Sequence, residues 1–269
     1  MVGGGGDAPG RWVELLGRAG LIAYGALHGL IAALIVRAIL GAQQYIEIDQ
    51  DGAVALVAGL GRSGLLLLGV SVAGLVSFGV WQVCAAATGF RWVEGGERTR
   101  KRVGAAGKAI AVLTVAAIVV PVLLGTPPGT SGGNTPGLTA TLFDLPGGRL
   151  VVGAIAAVAL VVAGSMIYTG ARATFMGDLR RDRLPLALRR FAVVCGSAGN
   201  FARAIALAGV GLSFAAATIT HDPSRSAGMN AVLRMLSTTP LGIAGLVVIA
   251  FGIAAFGVYC LIDAYARRA

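Results

Sequence analysis

The sequence predicts an all-α integral membrane protein: six transmembrane helices forming three parallel helical-hairpin repeats around a pseudo-threefold axis, with short helices on the outer surface. Three observations predict it. Of the 269 residues, 56% are hydrophobic and 13% charged, where a soluble domain carries about 25% charged residues. Six apolar segments, near 19–41, 64–88, 104–124, 147–171, 197–219 and 240–262, each reach the roughly 20 residues that a helix needs to cross a bilayer. Backbone groups in hydrocarbon must bond within their own segment, so these spans are helices. Finally, a Gly-x-Ala-Gly tetrad recurs at Gly17–Gly20, Gly104–Gly107 and Gly196–Gly199, each at the mouth of an apolar run. An aromatic residue follows each tetrad at nearly constant spacing: Trp81, Tyr168 and Tyr259.

Residues 1–10 read as a glycine-rich disordered tail. The first apolar run is too long for a cleavable leader and reads as a retained anchor. Repeats are expected at about 15–92, 102–175 and 194–267, within a single membrane domain. In the first span Gly25, Gly29 and Ala33 share one face, a spacing that lets helix backbones approach closely. Tyr24 and His28 share another face, four residues apart.

The loop after it carries Glu47, Asp49 and Asp51 before an apolar stretch at 53–60, where an acid can cap a short surface helix. Similar short apolar stretches precede the fourth and sixth spans, at 137–145 and 228–236. Pro121 predicts a kink or early end in the third span. The segment 178–190 mixes arginines with Leu184, Leu186 and Leu188 and is expected to rest partly on the inner membrane surface. Cys84, Cys195 and Cys260 lack metal or disulfide spacing and read as small buried residues.

The net charge of +10 is not spread evenly. Most of the basic residues precede the first span, join the second to the third, join the fourth to the fifth, or end the chain. Short basic loops stay cytoplasmic, which places both termini inside and predicts contact with anionic lipids at that face. Topology accounts for the bases, so nucleic acid is not an expected partner.

With these residues in view, Gly17-Arg-Ala-Gly-Leu-Ile-Ala-Tyr-Gly25, Asp49-Gln-Asp-Gly-Ala53 with Gly61-Arg62, and Phe78-Gly-Val-Trp81 resemble the repeated hairpin of a bacterial membrane family catalogued as "domain of unknown function 1206". The resemblance covers nearly the whole chain and is clearest in the first unit. It implies a six-span protein of the bacterial cytoplasmic membrane built of three hairpins. It brings no catalytic residues and no cofactor.

The candidate functional polar residues are Tyr24, His28, Arg37, Arg203 and Asp263, with Glu47, Asp49 and Asp51 as outer-loop acids. An ionisable group inside a span is a functional hypothesis by default. For His28 the alternatives are a proton relay or haem ligand and a side chain simply hydrogen-bonded to Tyr24 or a neighbouring helix; the second is favoured. Arg37 lies near the outer end of its span, where snorkelling explains it. Arg203 and Asp263 lie near the inner ends of theirs and could pair as a clasp or a gate, while Asp263 and Arg267 stand at i,i+4. The loop acids match only half of a calcium loop, since Ala58 stands where the bidentate Glu belongs.

No catalytic set, metal site or cofactor is expected. The leading functional expectation is a non-enzymatic scaffold or accessory subunit of a membrane complex. The alternative is a small-solute transporter or channel along the repeat axis. Its architecture is similar to that of mitochondrial carriers, but Val122 and Leu123 follow Pro121 in place of their charged signature.

Overall fold

The computed structural model describes residues 11–40, 54, 55, 57–91, 93–126, 135–180, 182 and 184–267. Among these, six long helices follow one another: α1 (Arg11–Ile39), α2 (Arg62–Thr88), α3 (Gly95–Leu123), α5 (Gly148–Arg172), α6 (Leu186–Thr220) and α8 (Pro240–Ala266). Two short helices, α4 (Thr135–Phe143) and α7 (Met229–Leu236), precede α5 and α8, and 54, 55, 57 and 58 are helical before α2. Five helices, α1, α2, α5, α6 and α8, are long and apolar enough to cross a membrane among the described residues.

Each short helix ends against a glycine at the start of the long helix that follows. A Cβ on Gly64, Gly148 or Gly242 would lie 2.9, 2.6 and 2.8 Å from the carbonyl carbons of Val57, Leu142 and Leu236, respectively. No side chain fits there, so the same residue type recurs at the same corner in all three repeats.

The tetrads lie within helices rather than at their mouths. α1, α3 and α6 begin at Arg11, Gly95 and Leu186, well before Gly17, Gly104 and Gly196. The charged residues ahead of each span continue the helix, with its backbone bonds intact, beyond the apolar stretch that hydropathy registers. Pro121 lies inside α3, which ends two residues later at Leu123, and the Thr126 amide turns back to the Pro121 carbonyl at 2.9 Å.

The long helices pack in the order α3, α2, α1, α8, α6, α5, each against the next. α8 is central: Leu246, Ile249, Ile253, Phe256 and Cys260 are buried among α1 and α6 side chains. α1 and α8 approach most closely at Gly25 and Gly257, where a Cβ on either would lie 2.8 Å from the other's carbonyl oxygen. Of the predicted small-residue face, only Gly25 is buried in this contact. Gly29 and Ala33 are exposed, and beyond the crossing point Ile31, Leu34 and Ile35 carry the contact onward to Ile253, Ile249 and Leu246.

α5 ends at Ala173 in the left-handed region (φ 47°). The chain then turns through a 3-10 helix, Thr174–Asp178, and folds back over the end of α8. Leu179 pairs with Arg267, the Arg180 amide donates to the Ala266 carbonyl at 2.7 Å, and Leu179 and Leu184 are buried. Leu184 therefore belongs to the core and not to the membrane surface; Leu186 alone of the three leucines is exposed, and Leu188 is half-buried. Cys195 and Cys260 are buried, whereas Cys84 is exposed; it points away from the helices that pack on α2.

Candidate functional site

The tetrad glycines are sockets for aromatic side chains. In the first repeat a Cβ on Gly17 would stand 3.2 Å from the Trp81 ring, and one on Gly20 would stand 2.7 Å from the Phe78 Cα. The third repeat duplicates this: Gly196 faces Tyr259 at 3.1 Å and Gly199 faces the Phe256 Cα at 2.8 Å. Glycine here lets α1 lie against α2, and α6 against α8, with aromatic rings closing the seam.

The second repeat lacks this seam. Among the described residues nothing lies within 4 Å of a Cβ built on Gly104 or Gly107. Ser165 occupies the position of Phe78 and Phe256, and Val161 the position near Gly74 and Gly252 that lets the other two hairpins close. Among the described residues α3 and α5 share no packed interface. At the basic end Arg100 of α3 lies 5.1 Å over the Tyr168 ring of α5, and Lys101 donates to Asp178, in the 3-10 helix that follows α5, at 2.7 Å.

Beside this opening lies a polar cluster at the basic end of the bundle. His28 is buried, its Nδ1 2.8 Å from the Tyr24 carbonyl, an arrangement in which Nδ1 carries the proton. Its ring lies edge-on to Tyr24 at 4.4 Å and against Phe256 at 4.9 Å. Arg203 lies 4.2 Å over Phe256 and donates to the Tyr24 hydroxyl at 3.3 Å. Asp263 is buried and accepts from Arg267 at 2.5 Å, while the Arg267 guanidinium covers Trp81 at 4.3 Å. Arg203 and Asp263 thus do not pair with each other. Each has a nearer partner, Tyr24 with Phe256 for one and Arg267, through Oδ2, for the other.

Lys108, one residue past the second tetrad, completes the cluster. Its side chain is exposed. Arg267, Asp178, Asp263 and Arg203 lie within electrostatic reach of its ammonium. The cluster holds four cations (Lys101, Lys108, Arg203, Arg267) and two carboxylates (Asp178, Asp263). It therefore has an excess of positive charge, which an anionic group could meet.

The remaining candidates stand apart. Arg37 is exposed in the last turn of α1, and Glu47, Asp49 and Asp51 lie outside the described residues. His221 ends α6 in the left-handed region (φ 56°), far along that helix from Arg203. Asp222 beside it accepts from the Ser224 hydroxyl at 2.6 Å and amide at 3.0 Å, which hold its carboxyl below the usual range. Among the described residues no group of three His, Cys, Asp or Glu side chains could hold a metal.

Sequence reasoning missed Lys108 and the open hairpin. The signal was available: of the three positions equivalent to Phe78, only Ser165 is not aromatic.

Comparison with known proteins agrees with the threefold pattern. A protein from Bacillus subtilis (strain 168), described as "Uncharacterized protein YxxB", is 26% identical over 254 residues, covering 93% of this chain and 90% of its own. No solved structure matches. The family described as "Domain of Unknown Function (DUF1206)" matches three times, at residues 19–89, 103–173 and 198–267. With matches over most of its length, the chain belongs to the DUF1206 family.

Proposed function

We propose that this protein is a non-enzymatic accessory subunit of a membrane complex, and that its open second hairpin receives a transmembrane helix of the partner. The observation that carries this reading is the uncovered pair Gly104 and Gly107. The equivalent glycines in the first and third repeats are covered by aromatic residues of the returning helix. Small residues on an unpartnered helix face favour close packing of another helix.

The reading takes α3 as the sixth span, supported by the apolar run 104–124 and by its packing along α2. The packing order α3, α2, α1, α8, α6, α5 fits a pseudo-threefold ring interrupted between α3 and α5. The concentration of bases at one end supports placing both termini in the cytoplasm, and the Bacillus relative supports a bacterial source.

The test is purification in mild detergent from native membranes. A second membrane protein should co-purify at a fixed ratio and be lost from the Gly107→Phe variant. Lone protomers, or a partner retained by G107F, would refute the reading.

Lys108 favours a second one. An exposed lysine beside Arg203 and Arg267, with a net excess of positive charge around it, suits a route for small anions. Anion flux into proteoliposomes that disappears in Lys108→Ala and Arg203→Ala would promote transport over assembly.

A further inference from the structure

We propose that a groove between the end of α5 and the start of α6 is a binding site for an anionic phospholipid. The groove has a volume of ≈ 600 Å³, and Arg172, Arg189, Arg190, Met176, Val193 and Val194 contribute to its lining. Local geometry builds it. The left-handed residue Ala173 turns the chain sharply after Arg172, and the Ser197 hydroxyl donates to the Gly170 carbonyl at 2.7 Å, holding α5 against α6. That contact sets Arg172 facing the first two turns of α6, which carry Arg189 and Arg190.

The three arginines differ in what holds them. Arg189 donates through Nε to the Leu184 carbonyl at 3.0 Å, which fixes its guanidinium and leaves its terminal nitrogens directed elsewhere. Arg172 and Arg190 are exposed and make no hydrogen bond or ion pair within the described residues. Among the described residues no carboxylate lines the groove; the nearby Asp178 is held by Lys101. Guanidinium groups match phosphate oxygens two at a time, so a phosphodiester fits this fork better than a monovalent halide.

The apolar half of the groove identifies the phosphate as a lipid's. Val193, Val194 and Met176 form its wall, and Val194 and Phe191 expose 65% and 51% of their surface beside it. The groove lies at the basic end of two helices apolar enough to span a membrane, the depth at which a headgroup meets its acyl chains. A soluble phosphate would use the arginines and leave this wall uncovered.

The experiment is native mass spectrometry of the detergent-solubilised full chain with phosphatidylglycerol or phosphatidylcholine of identical acyl chains. Phosphatidylglycerol adducts should exceed phosphatidylcholine adducts and survive millimolar inorganic phosphate. In Arg172→Ala/Arg190→Ala they should fall about tenfold. The variant Arg91→Ala/Arg180→Ala removes equal charge at the same end and should keep most of them. If the first pair aggregates, R172Q/R190Q replaces it. Equal binding of both lipids, displacement by phosphate, retention in the groove variant, or equal loss in the control variant would each overturn the site.

Discussion

Tyr24 and Arg203 occupy equivalent positions in the first and third repeats, four residues past Gly20 and Gly199, and they touch: the Arg203 guanidinium donates to the Tyr24 hydroxyl at 3.3 Å. The contact joins two repeats across the bundle, and Phe256 lies against both side chains. The third member of the set, Ala111, has neither a ring nor a charge. What the repeats share is a scaffold of glycines; what distinguishes them is the chemistry hung on it.

Tyr24→Phe removes the hydroxyl acceptor and keeps the ring contacts, so its cost should be about 0.5–1.5 kcal/mol. Arg203→Ala should cost more, because it also uncovers Phe256. A double-mutant cycle read by unfolding in detergent should show coupling between them. Strict additivity would mean that the hydrogen bond contributes nothing.

Gly20→Ala and Gly199→Ala force a methyl against the backbone of Phe78 and Phe256, an overpacking worth about 1–3 kcal/mol. Gly107→Ala meets nothing and should be neutral, or stabilising by about 0.5–1 kcal/mol from helix propensity. Thermal unfolding of the three variants in one detergent checks the contrast. Similar losses in all three would show that the second hairpin closes as the others do.

Arg267→Ala strands the buried carboxylate of Asp263, whose Oδ1 has no hydrogen-bond partner. Breaking such a pair from one side costs about 3–5 kcal/mol. The double variant Asp263→Ala/Arg267→Ala should be less destabilised than Arg267→Ala alone. If the double variant is the worse of the two, the pair is not the source of the effect.

His28 directs Nδ1–H at the Tyr24 carbonyl, which leaves the Nε2 lone pair free. Tyr24 and Phe256 pack against its ring, however, and the other histidine of the sequence, His221, stands far away at the end of α6, so the two form no bis-histidine haem site. Protein purified from haem-supplemented cells should show no Soret absorbance. A band that vanishes in His28→Ala would reverse this assignment.

The sequence carried the helices because their length and hydropathy are local properties, and it carried Asp263–Arg267 because one helical turn joins them. It could not carry Arg203–Tyr24, whose partners are 179 residues apart. The tetrads announced themselves by spacing, but their place inside helices was hidden by the charged turns ahead of them, which hydropathy reads as loop. The segment 178–190 was legible only in part: Leu186 is exposed, as its pattern suggests. Its leucines look amphipathic, but a chain reversal at Ala173 turns Leu184 into the core.

The central claim is that the second hairpin is open at Gly107 and filled by another protein. A photo-crosslinking amino acid in place of Ile110, which is exposed one turn beyond Gly107 on the same face and leaves the glycine intact, tests it most directly in intact membranes. An open hairpin yields an adduct of one defined mass with a second membrane protein. Adducts confined to the protein's own α5, near Val161 and Ser165, would show a closed hairpin and contradict it.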